Sequence, residues 1–161
     1  LPQFSNKILG SNQILWLPLF ARNSDVPVPG APIKWDVLFV GKNDPELTPL
    51  RFHFLNKLQK DFPGLVIKQG DYTKLYPHAR IVLNFADRGD LNFRVFETLG
   101  CAKCLVTNRT GNGLLDLFTP ETDLFVYDPK NLKALIELFK FLLANHELCQ
   151  RVAQNGYEKI N

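Results

Sequence analysis

The sequence predicts an α/β domain: a parallel sheet of about five strands with helices on both faces. Two observations predict it. Short, continuously apolar runs alternate with segments whose apolar residues recur at helical spacing. The chain is also the right size for one such unit, with 161 residues and 45% hydrophobic content. A domain of that length buries roughly 70% of its unfolded surface, so its core needs no covalent staples.

Residues 1–32 are the least regular part and read as an irregular segment leading in from a preceding domain. Ile14-Leu15-Trp16-Leu17 reads as a short strand. Pro27, Pro29, Gly30 and Pro32 break any regular element, so Asn23 to Pro32 reads as a linker or surface loop. Residues 33–161 form the predicted functional domain. Trp35 to Val40 is a β-branched and aromatic strand closed by Gly41. Thr48-Pro49 predicts a helix start, Thr48 as N-cap and Pro49 in the first turn. Leu50, Phe54, Leu58 and Phe62 follow at helical spacing with Leu55 beside them, and Pro63-Gly64 ends the helix. Leu65 to Lys68 is a short strand, Gly70-Asp71 a turn, and Tyr72 to His78 one helical turn.

Arg80 to Phe85 is the next strand. Asp90 or Asn92 caps a helix ending near Gly100. Lys103 to Thr107 is a strand, Leu114 to Phe118 a short helix, and Leu124 to Tyr127 the last strand. Asp128-Pro129 starts a long helix by the same cap-plus-proline rule, with a stripe of Leu132, Leu135, Ile136, Phe139, Leu142 and Leu143. His146 to Asn155 is a final amphipathic helix ended by Gly156.

Parallel sheets of this kind bind ligands outside the carboxyl ends of their strands. The loops at that edge are Gly41-Lys42-Asn43, Gly70-Asp71-Tyr72, Ala86 to Asn92 and Thr107 to Gly113. Arg94 and Glu97 follow the third of them, three residues apart on one helix face. A cation in the first turn opposes the macrodipole, a placement eased when an anion joins the free backbone N–H groups there. Arg94 therefore reads as part of a phosphate site, and Glu97 as an acceptor for a pair of sugar hydroxyls.

Each reading has a plainer rival. Arg94 and Glu97 read also as a surface ion pair contributing about 0.3–0.5 kcal/mol. Gly41-Lys42 reads also as a strand-ending turn with a solvated lysine, Asn84 as a residue bonding neighbouring backbone, and Arg51 as a solvated residue. Cys101-Ala102-Lys103-Cys104 has redox spacing but closes a helix and opens a strand, the reverse of a thioredoxin-like motif. It reads as two small buried residues. Gly111-Asn112-Gly113 lacks the third glycine of a dinucleotide fingerprint and follows a late strand. His146-Glu147 lacks a second histidine, and His53 and His78 have no acidic partner in sequence. No metal site is expected.

The remaining numbers exclude classes of function. Nineteen basic against 16 acidic residues give a net charge of +3, too weak and dispersed to argue for nucleic acid. No apolar run reaches membrane-span length and no signal peptide is visible, so a cytoplasmic location is expected. Three cysteines in a chain with an ample core argue against a disulfide framework. The chain has no methionine, even at position 1, so it is expected to begin part-way through a longer protein.

An ordered set of motifs resembles a known family. Val40-Gly41-Lys42 ends one strand and Leu83-Asn84 another; Arg94-Val95-Phe96-Glu97 precedes Gly100; Leu105-Val106-Thr107 and Asp123 to Tyr127 follow. From Trp16 onward the chain resembles the C-terminal, donor-binding domain of a GT-B glycosyltransferase, one Rossmann-like half of that fold. It most resembles the spore-maturation-type branch, to which the closing Gly156-Tyr157-Glu158 is also similar. The resemblance implies a nucleotide-diphosphate sugar as substrate, with no separate cofactor. It implies Glu97 on the ribose hydroxyls, Gly41 and Lys42 at the diphosphate, and Arg94 neutralising the leaving phosphate. Asn84 and Asn92 complete the expected donor-binding set. Retaining members often carry a second glutamate eight positions before Glu97, where this chain has Gly89. That departure leaves the stereochemical outcome open, together with the sugar, the acceptor and the catalytic base. Alone, the fragment is expected to be inactive without its N-terminal domain. Two other readings stand beside this one: a non-catalytic nucleotide- or protein-binding module, and half of a sugar-nucleotide epimerase.

Overall fold

A computed structural model describes residues 19–161 except Asn112. The expected strand at Ile14–Leu17 lies outside the described residues. Five strands form one wholly parallel sheet: β1 (Trp35–Val40), β2 (Leu65–Lys68), β3 (Ala79–Asn84), β4 (Cys104–Asn108) and β5 (Phe125–Tyr127), in the order β2-β1-β3-β4-β5. The helices are α1 (Pro49–Asp61), α2 (Tyr72–Leu75, continuing as a 3-10 turn through His78), α3 (Phe93–Gly100), α4 (Leu114–Leu117), α5 (Leu132–Ala144) and α6 (His146–Ile160). The predicted class holds, and element boundaries differ from expectation by a residue or two at most ends.

Strand periodicity divides the core into two layers. Val37, Phe39, Ile81, Leu83 and Val106 face Phe54, Leu55 and Leu58 of α1, Phe139 of α5 and Val152 of α6. The intervening residues face the other way: Leu38 and Val82 against Tyr76 and Cys101, Leu105 against Val95 and Leu99 of α3. The central strands are buried on both sides, which is why they read as unbroken apolar runs rather than alternating ones.

Four local expectations fail for identifiable reasons. Thr48 occupies the N-cap position of α1 without capping it; its hydroxyl donates to Asp44 O at 3.0 Å. Leu50 lies on the solvent side of α1 and is 65% exposed. Asp128 makes a turn by accepting from the Lys130 N–H at 2.9 Å, and Asn131 caps α5 through the Ala134 N–H at 3.0 Å. Gly156 does not end α6. The helix runs through it to Ile160, and the position has no side chain because a methyl there would sit 2.5 Å from Asp123 O and 2.6 Å from Leu99 Cδ2. The glycine is a notch that seats α6 on α3.

Part of the expected linker is also packed. Asp25 is buried, accepts from the Tyr72 hydroxyl at 2.7 Å and from the Arg22 N–H at 2.8 Å, and lies against Gly100. A Cβ on Gly100 would stand 2.7 Å from that of Asp25.

Gly156→Ala tests the notch. In an open helix alanine would gain about 1 kcal/mol. Here the backbone carbonyl of Asp123 cannot swing aside as a side chain could. The expected result is a net loss of about 1–3 kcal/mol in urea unfolding.

Candidate functional site

In the strand order β2-β1-β3-β4-β5, the chain turns from one direction of growth to the other between β1 and β3. The carboxyl ends of those two strands therefore flank the crevice where open α/β sheets bind ligands. Arg94, in the first turn of α3, reaches back over it. Its Nε–H donates to Val40 O at 3.0 Å, its Nη1 donates to Asn84 Oδ1 at 2.7 Å, and its guanidinium carbon lies 4.7 Å from the centre of the Phe39 ring. The plainer reading of an Arg94–Glu97 ion pair is thus excluded by where the guanidinium is spent.

Gly41 is small for the same reason. A Cβ at this position would lie 2.7 Å from Arg94 Nη2. Asn84 is wholly buried, and its amide donates to Thr107 Oγ1 at 3.0 Å and exchanges 3.2 Å bonds with the amide of Asn92. Because Asn92 is engaged with Asn84, no side chain caps α3; the Val95 N–H donates to the Asn92 backbone O at 3.2 Å. The Asn108 side chain clamps both backbone groups of Ala86, and the Tyr127 hydroxyl donates to Asn84 O at 2.8 Å. The β3–α3 loop therefore starts from a fully bonded base.

Beyond that base lies a cavity of about 410 Å³ whose wall includes Asn92, Arg94 and Glu97 of the expected set. Gly41, Lys42 and Asn84 do not line it. Lys42 is exposed, while Gly41 and Asn84 act through Arg94. The structure adds Arg51, which the sequence suggested was solvated. Its side chain is only 13% exposed. The Arg51 N–H donates to Asp87 Oδ1 at 3.1 Å, Nη1 stands 3.9 Å from Asp87 Oδ2, and the guanidinium lies 5.7 Å from the same Phe39 ring that carries Arg94. Burial, and then the neighbouring Arg94 charge, hold the Arg51 pKa below its usual value. Three buried polar atoms without a hydrogen-bond partner among the described residues lie along this edge: Asn43 Oδ1, Arg51 Nε and Thr110 Oγ1.

The cavity wall carries three arginines (51, 88, 94) and three carboxylates (Asp87, Asp90, Glu97), so its formal charge cancels. An anion would be held by the position of the two guanidiniums over Phe39, not by net charge. Glu97 is half-buried. Burial is the main cause that raises its pKa above the ordinary carboxylate value; Asp25 adds to the rise and Arg94 opposes it. Such a carboxylate, short of water, is a strong acceptor for hydroxyl donors. Among the described residues no group of three or more His, Cys, Asp or Glu side chains could hold a metal ion, and no helix is long and apolar enough to cross a membrane.

The glycosyl transferase-like family profile matches residues 35–161. No curated protein sequence matches the chain. Among solved structures, the fold is similar to sucrose-phosphate synthase from Thermosynechococcus elongatus, with a TM-score of 0.65 at 16% identity over 96% of this chain and 50% of that one. It is similar to the C-terminal domain of the group 1 glycosyl transferase LpcC from Francisella tularensis, with a TM-score of 0.60 at 11% identity over 85% of this chain and 94% of that one. It is also similar to the pneumococcal O-GlcNAc transferase GtfA, solved with UDP and GlcNAc, with a TM-score of 0.61 at 9% identity over 96% of this chain and 38% of that one. The chain thus spans half or less of the two longer neighbours and nearly all of the isolated C-terminal domain. These neighbours are GT-B glycosyltransferases, and the fold is consistent with a C-terminal GT-B domain.

Two outcomes follow from the site geometry. Gly41→Ala displaces the Arg94 guanidinium and is expected to cost about 1–3 kcal/mol in urea unfolding through its lost hydrogen bonds. Glu97 gives a pH signature. A carboxyl whose pKa is raised on folding contributes stability only while protonated: fully below its unfolded pKa, and lost as pH rises through the folded value. Glu97→Gln is therefore expected to raise the urea midpoint at about pH 7 and to leave it unchanged at about pH 3.

Proposed function

The chain belongs to the glycosyl transferase-like family, and from that premise we propose that it binds the nucleoside diphosphate of a sugar donor at the carboxyl edge of β1 and β3. The observation that carries this reading is the junction of three features in one crevice. They are an uncapped helix start, an anchored guanidinium, and a half-buried carboxylate one turn further on. The diphosphate lies against the first turn of α3 beside Arg94, with Arg51 as a second cation over Phe39 and Lys42 approaching from the exposed side. Glu97 accepts from the paired hydroxyls of the ribose. Asn92 lines the pocket, while Gly41 and Asn84 hold Arg94 in place.

When the bond between sugar and phosphate breaks, negative charge grows on the departing diphosphate. Guanidiniums fixed before the reaction stabilise that charge without having to reorganise. Transfer to an acceptor belongs to the chain together with a further domain, and this segment alone is expected to show none. The likeness to GtfA, solved with UDP and GlcNAc, makes a uridine nucleotide the first donor to try. The finer placement in the spore-maturation-type branch is part of the same proposal and rests on the Arg94–Glu97 helix and the closing Gly156-Tyr157-Glu158.

Titration calorimetry with UDP, GDP and their sugars tests this. Binding is expected, and Glu97→Ala is expected to weaken it by about 1–3 kcal/mol, roughly fivefold to 150-fold. A folded wild-type chain that takes up no nucleoside diphosphate overturns the reading and leaves a non-catalytic module.

A further inference from the structure

The segment before β1 is bound into the domain at one residue. Asp25 is buried, while Val26 and Val28 beside it are exposed. Its backbone N–H donates to Arg22 O at 2.9 Å and its carboxylate accepts from the Arg22 N–H at 2.8 Å, so residues 22–25 close a turn on themselves. The other carboxylate oxygen accepts from the Tyr72 hydroxyl at 2.7 Å, a bond between residues 47 positions apart. The third contact is with α3. A Cβ on Gly100, the last residue of that helix, would stand 2.7 Å from Asp25 Cβ, 3.2 Å from Ala21 Cβ and 3.2 Å from Asp25 O. The turn thus rests directly on the end of α3.

That seat matters because of what α3 carries. Glu97 stands three residues after Arg94 and three before Gly100, so it shares a helix face with each. The Arg94 end of the helix closes over the crevice, and the Gly100 end bears the Asp25 turn. Glu97 therefore lies between a fixed cation and a buried carboxylate. Burial chiefly raises its pKa and the Asp25 charge adds to the rise, while Arg94 and Arg22 oppose it. Tyr72, Tyr76 and Cys101 also feel the Glu97 charge, but burial pushes all three up and keeps them neutral. The remaining charges of the cavity wall, Arg51, Arg88, Asp87 and Asp90, cancel. Asp25 does not line that cavity, so whatever it does there runs through α3.

We propose that Asp25 is a positioning residue of the donor site: clasped by Tyr72 and seated on Gly100, it couples the segment before β1 to Glu97, so that nucleoside diphosphate affinity depends on how that segment lies. This role rests on the reading of Glu97 as the acceptor for the ribose hydroxyls. An ionised Glu97 accepts from both hydroxyls, whereas a protonated one turns part of itself into a donor. The Asp25 charge repels the ionised form, and hydroxyls donated by the nucleotide offset that repulsion. Lifting the segment removes the charge and the support at the Gly100 end together. The two effects separate by substitution. Asp25→Asn keeps an oxygen for the Tyr72 hydroxyl and removes the charge; Tyr72→Phe keeps the charge and releases the clasp.

Two measurements on the whole chain test this. Carbon NMR of the Glu97 carboxyl, with no nucleotide added, is expected to show a lower titration midpoint in Asp25→Asn than in the wild type. Calorimetry with UDP from about pH 4 to about pH 8 is expected to show affinity falling as Glu97 takes up its proton, and that fall moves to lower pH in Asp25→Asn. A purely structural role for Asp25 would change the urea midpoint and leave the position of the fall where it was. Tyr72→Phe is expected to bind UDP about threefold to tenfold more weakly. An Asp25→Asn chain that binds UDP with the wild-type pH profile and an unmoved Glu97 midpoint overturns the role of Asp25 and leaves the donor reading standing. A wild type that binds no UDP, with a Glu97 midpoint that still moves in Asp25→Asn, overturns the donor reading instead. If Asp25→Asn fails to fold, Tyr72→Phe decides, and wild-type affinity in that variant overturns the coupling.

Discussion

The crevice depends on one side chain being held from three directions. Arg94 is fastened to the end of β1 through Val40 O, to the end of β3 through Asn84, and to the face of Phe39 below it. Each fastening constrains a further residue. Gly41 has no side chain because Nη2 occupies the space, Asn84 is buried because it must aim an oxygen at Nη1, and Asn92 is drawn off its capping role because Asn84 also binds it. A lysine could not reproduce this, since it lacks the planar fork that donates in two directions while stacking on a ring. α3 is thereby set at a fixed height above the sheet.

The carboxylate one turn along lives in a field that the fold itself raises. Asp25 is buried beneath a Tyr72 hydrogen bond and pressed against Gly100, and its charge adds to the burial of Glu97. Structure that is costly in the free protein is common at sites built to receive a ligand, because the ligand supplies the missing partners. Arg51 follows the same logic. It is a cation buried beside another cation, with the Asp87 carboxylate at the long distance of 3.9 Å and Asp90 also opposing the shift.

Much of the architecture was legible because it obeys short-range rules. Continuous apolar runs mark strands buried on both faces, and the stripe Leu135, Phe139 and Leu142 marks the inner side of α5. The loops at the carboxyl edge were found because a parallel sheet leaves no other place for them. Arg94 and Glu97 stood out because a cation in a first turn is electrostatically unusual. What could not be read depends on residues far apart in the chain. Arg51 is buried by the β3–α3 loop that carries Asp87, and nothing around position 51 announces it. The bonds from Thr107, Asn108 and Tyr127 to the end of β3 need the strand order to be known first. Gly156 shows a different ambiguity. A glycine that stops a helix and one that lets a neighbour in look the same in one dimension, and only the position of Asp123 separates them.

The path of α6 has a consequence for how the domain comes together. Cys149, Val152 and Ala153 close one layer of the core, while Gly156 and Ile160 dock on the other. One helix therefore straps both sides of the sheet, so neither layer can open without loosening its counterpart, and the two halves behave as a single cooperative unit. During synthesis, strands made much earlier must wait with their hydrophobic surfaces uncovered until residues 146–160 have cleared the ribosome. That interval is when a nascent chain of this design most needs a chaperone.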